Sequence, residues 1–146
     1  MFVGTFEHTL DPKCRVVLPA LFRDRLAVGG FLAKALDGGC LSLWTEVDFE
    51  KEARELREKE RAGEVPSSAV RSLLAGAAAV KPDAQGRIAV PEALRTFAGL
   101  RENDKVVVIG NFDRIELWAA ERWAAVDASG EAILAGLAGG TARTNG

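Results

Sequence analysis

The chain has too few metal-binding and redox-active side chains to support chemistry that depends on them. It holds two cysteines, Cys14 and Cys40, and one histidine, His8, with no CxxC pair. A metal centre needs several such ligands at short spacing, so no metal is expected, and the thiols are expected free in a reducing compartment. No basic segment followed by an apolar run and a cleavage site lies near the start, and no apolar stretch approaches the ~20 residues that cross a bilayer. These features imply a cytoplasmic protein with no membrane partner. There is no glycine-rich phosphate loop, and no cofactor is expected. An excess of positive charge is lacking too: 19 Lys and Arg stand against 21 Asp and Glu, a formal net charge of −2. That excludes a chain coated in positive charge but leaves room for a local basic face.

What the chain does have is an internal repeat. Asp11-Pro12-Lys13-Cys14-Arg15-Val16-Val17-Leu18-Pro19-Ala20-Leu21-Phe22-Arg23 returns as Asp83-Ala84-Gln85-Gly86-Arg87-Ile88-Ala89-Val90-Pro91-Glu92-Ala93-Leu94-Arg95. Asp, Arg, Pro and a second Arg recur at one offset, with apolar positions matching between them. Downstream, Leu41-Ser42-Leu43-Trp44 is echoed by Ile115-Glu116-Leu117-Trp118, and Phe49 by Trp123, after a slip that one longer loop explains. A repeated supersecondary unit follows. Units this small bury little core alone, so they must share a core or assemble.

Each copy opens as strand, turn, strand and short helix. Met1–Leu10 has strand character, Asp11-Pro12-Lys13 is a turn, and Val16–Leu18 is an apolar run that stops at Pro19. In the second copy Ala77–Val80 leads into a turn where Gly86 supplies a positive φ, and Ile88–Val90 stops at Pro91. Cys14 occupies the aligned place in copy one and carries strain there if the backbone is left-handed. Three-and-four spacing places Leu21, Phe22 and Leu26 inward in one short helix, and Leu94, Phe97 and Ala98 in the other. Strands are then expected at Phe31–Leu36, Cys40–Trp44, Val106–Ile109 and Arg114–Trp118. Thr45-Glu46-Val47-Asp48 has capping-box spacing and starts a charged helix to about Arg61. Ser67 or Ser68 caps the next helix. From Ser129 onward the composition is Ala and Gly, with little to build a core, and a frayed end is expected.

Arg15 and Arg87 emerge just past the turns, with Lys13 and Lys81 nearby. A planar guanidinium can grip phosphate or read guanine, with Asp11 and Asp83 orienting the turns. The alternative is that both Asp–Arg pairs are intra-turn ion pairs that only close the fold. Arg23 and Arg95 sit inside the short helices and suit internal bracing. Trp44 and Trp118 could stack on bases, but a tryptophan closing a hairpin more often seals a core. An enzyme would need Asp11 and Asp83 as an acid/base pair, or Cys14 with His8 as nucleophile and base. The second copy has Gly86 and Val80 at the latter places and nothing completes such a site, so no catalysis is expected. A non-catalytic structural assembly protein or an antitoxin-like binding protein is the remaining alternative.

The two DxxxR motifs, Asp11 with Arg15 and Asp83 with Arg87, and both tryptophan-ended strands resemble the MraZ family of bacterial transcription factors. The resemblance runs from Met1 to about Ala128; its chief departure is Cys14, where the family usually has Gly. It implies a β-rich α+β fold, a duplicated AbrB-like swapped-hairpin barrel with flanking helices. Residues 5–49 would form the first SpoVT-AbrB-like unit, 50–75 a helical connector, 77–121 the second unit, and 122–146 a terminal helix and flexible tail. It further implies a ring-like homo-oligomer in the nucleoid. That ring would bind double-stranded DNA with short direct repeats and regulate the division and cell-wall gene cluster, including its own gene.

Overall fold

A computed structural model describes residues 1–145. It is a mixed α+β fold with a mainly antiparallel sheet. In chain order come β1 (Phe2–Thr9), β2 (Arg15–Val17), α1 (Ala20–Arg23), a 3-10 turn (Asp24–Leu26), β3 (Gly30–Lys34) and β4 (Leu41–Thr45). Then follow α2 (Glu46–Arg61), α3 (Ser67–Gly76), β5 (Ala78–Val80), β6 (Arg87–Ala89), α4 (Glu92–Ala98), β7 (Lys105–Phe112), β8 (Arg114–Ala119) and α5 (Ala120–Asn145). Both copies thus run strand, strand, short helix, strand, strand and longer helix.

The strands pair across the copies. The six-stranded sheet has order β1-β7-β8-β4-β3-β5, and β2 pairs with β6 in a separate two-stranded ribbon. Exchanging the copies (β1 with β5, β3 with β7, β4 with β8) reverses this order and leaves it unchanged. The first strand of each copy lies against the third strand of the other: Phe2 opposes Phe112 and Thr9 opposes Lys105, while Gly30 opposes Val80. The copies meet at β4–β8, where Ser42 opposes Glu116.

One apolar cluster draws on both copies: Val16, Leu18, Phe22 and Leu26 from the first meet Ile88, Val90, Leu94 and Val106 from the second. Phe22 takes Phe2 and Phe6 edge-on at 5.2 and 5.3 Å. Such T-shaped contacts put a ring edge on a π face, the favoured electrostatic arrangement. Neither half could bury its apolar runs alone, which is the physical reason for the exchange.

Some local expectations change. Leu21 is exposed and Phe97 is only part-buried. α1 has four residues before the chain tightens into the 3-10 turn, too short for a full inward stripe, so Phe22 and Leu26 carry the burial. In α4 the buried line is Leu94 and Ala98, one turn apart, and Phe97 instead lies under Lys34 Nζ at 5.7 Å. Pro66, not a serine, is the N-cap of α3, and Ser67 and Ser68 lie inside its first turn. Thr45 caps α2 by accepting from Asp48 N at 3.3 Å, and Phe49 stacks on Phe31 at 5.0 Å. Where composition suggested fraying from Ser129, the backbone is helical through Asn145. Alanine favours the helix locally whether or not a core is available; Gly146, the end of the expected tail, lies outside the described residues. Among the described residues no helix is long and apolar enough to cross a membrane.

Candidate nucleic-acid interface

The two repeated turns have the same construction. Asp11 Oδ1 accepts from Lys13 N (2.9 Å) and Arg15 N (2.8 Å), and its Oδ2 accepts from Arg15 Nε (2.8 Å). Asp83 Oδ1 accepts from Gln85 N and Arg87 N, and its Oδ2 from Arg87 Nε, each at 2.9 Å. Cys14 N donates to Asp11 O at 2.8 Å and Gly86 N to Asp83 O at 2.9 Å, closing each turn. A four-residue spacing from Asp to Arg is what this needs: the carboxylate reaches backbone donors two and four residues on and still meets the guanidinium.

The turns are tied to each other through the β2–β6 ribbon. Arg15 opposes Ala89, Val16 opposes Ile88 and Val17 opposes Arg87. Leu18 N donates to Gly86 O at 2.8 Å and Val90 N to Cys14 O at 2.9 Å, extending the ladder at both ends. Because side chains alternate along a strand, buried Val16 and Ile88 mark the inner face, which leaves Arg15 and Arg87 together on the outer one. They are diagonal neighbours, with backbones about 7–8 Å apart. Each is about a quarter exposed, at 28% and 27%.

Each guanidinium gives only its Nε to the aspartate. The Nη1 and Nη2 groups of Arg15 and Arg87 have no partner among the described residues, so four of the five N–H donors on each fork are unspent. Lys13, two residues before Arg15, and Lys81, six residues before Arg87, are both exposed. At Asp11 partial desolvation is the largest influence and raises the pKa, but bonds from the Arg15 backbone, the Arg15 side chain and the Lys13 backbone outweigh it. At Asp83 the Arg87 backbone bond leads, opposed by desolvation and joined by bonds from the Arg87 side chain and the Gln85 backbone. Both carboxyls titrate below the usual range, the opposite of what a general acid requires.

Arg23 and Arg95 point elsewhere. Arg23 Nε donates to Leu18 O at 2.7 Å, and Arg95 Nη1 to Val90 O at 2.6 Å, so each ties its helix back to the end of its own ribbon strand. Arg23 also lies over Gly86, whose φ is +77°, and a Cβ there would fall 2.1 Å from Arg23 Nε. Cys14 has φ 58° in the same turn position, so the left-handed geometry expected from the repeat holds in both copies. Trp44 and Trp118 are buried, too deep to offer a ring face to a base. Trp118 leans on Trp123 at 5.6 Å and donates from Nε1 to Glu116 Oε1 at 3.0 Å. Glu116 Oε2 also accepts from Asn111 and Arg114.

Burial, then the charges of Glu116 and Asp37, push the Cys40 thiol up to about 12. Among the described residues no group of three His, Cys, Asp or Glu side chains could hold a metal ion. Sequence reasoning gave no role to Gln85, the counterpart of Lys13, which is exposed and whose backbone is held by Asp83 as Lys13's is by Asp11. Its signal was its place in the turn.

The family model described as "MraZ protein, putative antitoxin-like" matches residues 1–66 and again 73–134. The chain belongs to the MraZ family. Two matches in one chain agree with the repeat of the DxxxR turn. Similar MraZ proteins include one from Saccharopolyspora erythraea, 42% identical over 123 residues and covering 84% of each chain. One from Leifsonia xyli is 38% identical over 135 residues, 92% of each chain. One from Corynebacterium glutamicum is 39% identical over 132 residues, 90% of each chain. All three bear the name "Transcriptional regulator MraZ".

Proposed function

We propose that this chain is a sequence-specific DNA-binding transcriptional regulator in which Arg15 and Arg87 read or grip the duplex. Lys13 and Lys81 contact phosphates, and Asp11 and Asp83 hold the arginine-bearing turns. The observation that carries this is the pair of guanidiniums on one outer ribbon face, each clamped through Nε alone with its Nη donors unspent. An ion pair serving only to close the turn would not need an arginine fork, since the Asp already takes two backbone N–H groups. A two-stranded ribbon fits the major groove, and a 7–8 Å diagonal matches about two base-pair steps of 3.4 Å. The names of the MraZ relatives point the same way.

The finer features belong to the same proposal. Residues 5–49 and 77–121 form two SpoVT-AbrB-like units of a duplicated swapped-hairpin barrel, for which the cross-copy pairing speaks. The protein acts without catalysis in the cytoplasm, at the nucleoid, as a ring-like homo-oligomer on short direct repeats, and controls the division and cell-wall cluster including its own gene. A near-neutral chain needs that assembly, because affinity grows with the number of phosphates neutralised, and linked sites add avidity.

Fluorescence anisotropy on tandem-repeat and scrambled duplexes across a salt series tests the function. Replacing Arg15 and Arg87 with Ala leaves each Asp bonded to its two backbone N–H groups, so the fold survives. Discrimination between duplexes is expected to fall about tenfold or more, at about 1–3 kcal/mol per bidentate contact. Replacing Arg23 and Arg95 with Ala instead lowers stability by about 1.5–3 kcal/mol each, through the lost charged hydrogen bonds. A folded Arg15/Arg87 variant that still discriminates as well as the parent overturns the site.

A further inference from the structure

A recognition surface made of two identical halves about a twofold axis reads the same in either direction along a duplex. It suits an inverted repeat and cannot tell one orientation of a direct repeat from the other. The β2–β6 ribbon comes close to that symmetry: the two Asp turns, the two cross-ties and the two arginines superimpose in role when the copies are exchanged. At the turn tip the match breaks, with Lys13 in one copy and Gln85 in the other. Both residues are exposed, and both backbones are fixed by the same 2.9 Å bond to Asp Oδ1, so their side chains start from equivalent places.

The two ends differ most plainly at the turn tip. The first turn has Lys13 at the tip and Thr9 ahead of it; the second has Gln85 at the tip and Lys81 ahead of it, all exposed. Thr9 is paired with the exposed Lys105, so lysine flanks both turns, and the tip itself sets a charged ammonium against a neutral carboxamide. An ammonium offers donors alone and suits a phosphate or the N7 and O6 acceptors of guanine. A carboxamide offers a donor and an acceptor together, the complement of adenine N6 and N7.

We infer that Gln85 is a specificity-determining residue that reads an adenine in the major groove at one end of the ribbon, and that its contrast with Lys13 gives each protomer a direction along the DNA. This rests on the DNA-binding function proposed above.

Selection of binding sites from a randomised duplex pool tests it, using the full chain and its Gln85→Ala, Gln85→Lys, Lys13→Gln and Arg15→Ala/Arg87→Ala variants. The parent is expected to enrich an asymmetric motif with a required adenine. Gln85→Ala should lose about tenfold discrimination at that adenine while keeping the parent's affinity for scrambled duplex and its salt slope. Gln85→Lys should drive the motif toward twofold symmetry with guanine replacing the adenine, and Lys13→Gln should add a second adenine at the mirrored position. If both Gln85 variants enrich the parent's motif unchanged, the role of Gln85 is overturned while the DNA function stands. If the parent enriches no motif, or the double arginine variant enriches the same one, the DNA function falls and this inference with it.

Discussion

Position 14 allows the left-handed turn to be tested by the sign of a stability difference. Cys14 sits at φ 58° where Gly86 sits at φ 77° in the other copy. An L-residue in that region costs roughly 1–2 kcal/mol, whereas glycine gives up about 0.5–1 kcal/mol more chain entropy than alanine on folding. Cys14→Gly is therefore expected to be more stable than Cys14→Ala by about 0.5–1 kcal/mol. Both variants lose the half-buried thiol that packs against the core. For about 20–30 Å² of apolar area that loss is about 0.5–0.8 kcal/mol, which places the Cys14→Gly protein between about 0.3 kcal/mol below the parent and about 0.5 kcal/mol above it. The reverse change in the other copy has no such balance. Gly86→Ala adds a Cβ 2.1 Å from Arg23 Nε, and it should lose about 2–4 kcal/mol from strain and from the disrupted bond to Leu18 O. Urea melts of the four proteins at one protein concentration, compared at equal m-value, provide the measurement. A Cys14→Ala protein more stable than the Cys14→Gly protein would mean that position 14 occupies ordinary backbone, and would refute the reasoning.

Two further outcomes follow from the polar groups. Asp11 and Asp83 have lowered folded-state pKa values, so the unfolded chain takes up their protons first, and the stability they give above the ordinary carboxylate value is lost as the pH falls through the folded one. Equilibrium melts from neutral pH downward should show this decline, and the double Asp→Asn protein should begin less stable and show a shallower one; an equally steep decline in the Asn protein contradicts it. Trp118→Phe keeps the ring contact with Trp123 but removes a donor from buried Glu116, and should cost about 1–3 kcal/mol; a loss below about 0.5 kcal/mol by denaturant melt would show that the bond adds nothing net.

How much could be read from the chain alone depended on whether the signal was local. The Asp–Arg turns were legible because a short side chain satisfying backbone donors two and four residues on leaves a fixed spacing, and the positive φ at Cys14 followed from the glycine at its aligned place. The place of Arg23 and Arg95 in the short helices was visible, but not the carbonyl each one meets, Leu18 O and Val90 O. Leu21 and Phe97 were misjudged because periodicity assumes a helix longer than the four residues of α1 or the seven of α4. Pro66 took the cap expected of a serine because its extended backbone already ends the preceding loop. The pairing of β1 with β7 left no local trace, since strand partners are chosen by shared burial and not by neighbouring residues. The structural equivalence of Gln85 and Lys13 was not drawn from the sequence, because attention to charge favours Lys13 and passes over an uncharged tip in the same place.

The cross-copy strand pairing has a consequence during synthesis. Phe2 finds its partner only at Phe112, so β1 leaves the ribosome about 110 residues ahead of β7. At about 5–20 residues per second that is a wait of roughly 5–20 s with an unpaired edge and buried-type residues exposed. Closing so long a loop places the protein among high-contact-order, slow-folding topologies. During that interval β1 is open to pairing with the β7 of another nascent chain, so crowded translation of one message raises the yield of intertwined dimers.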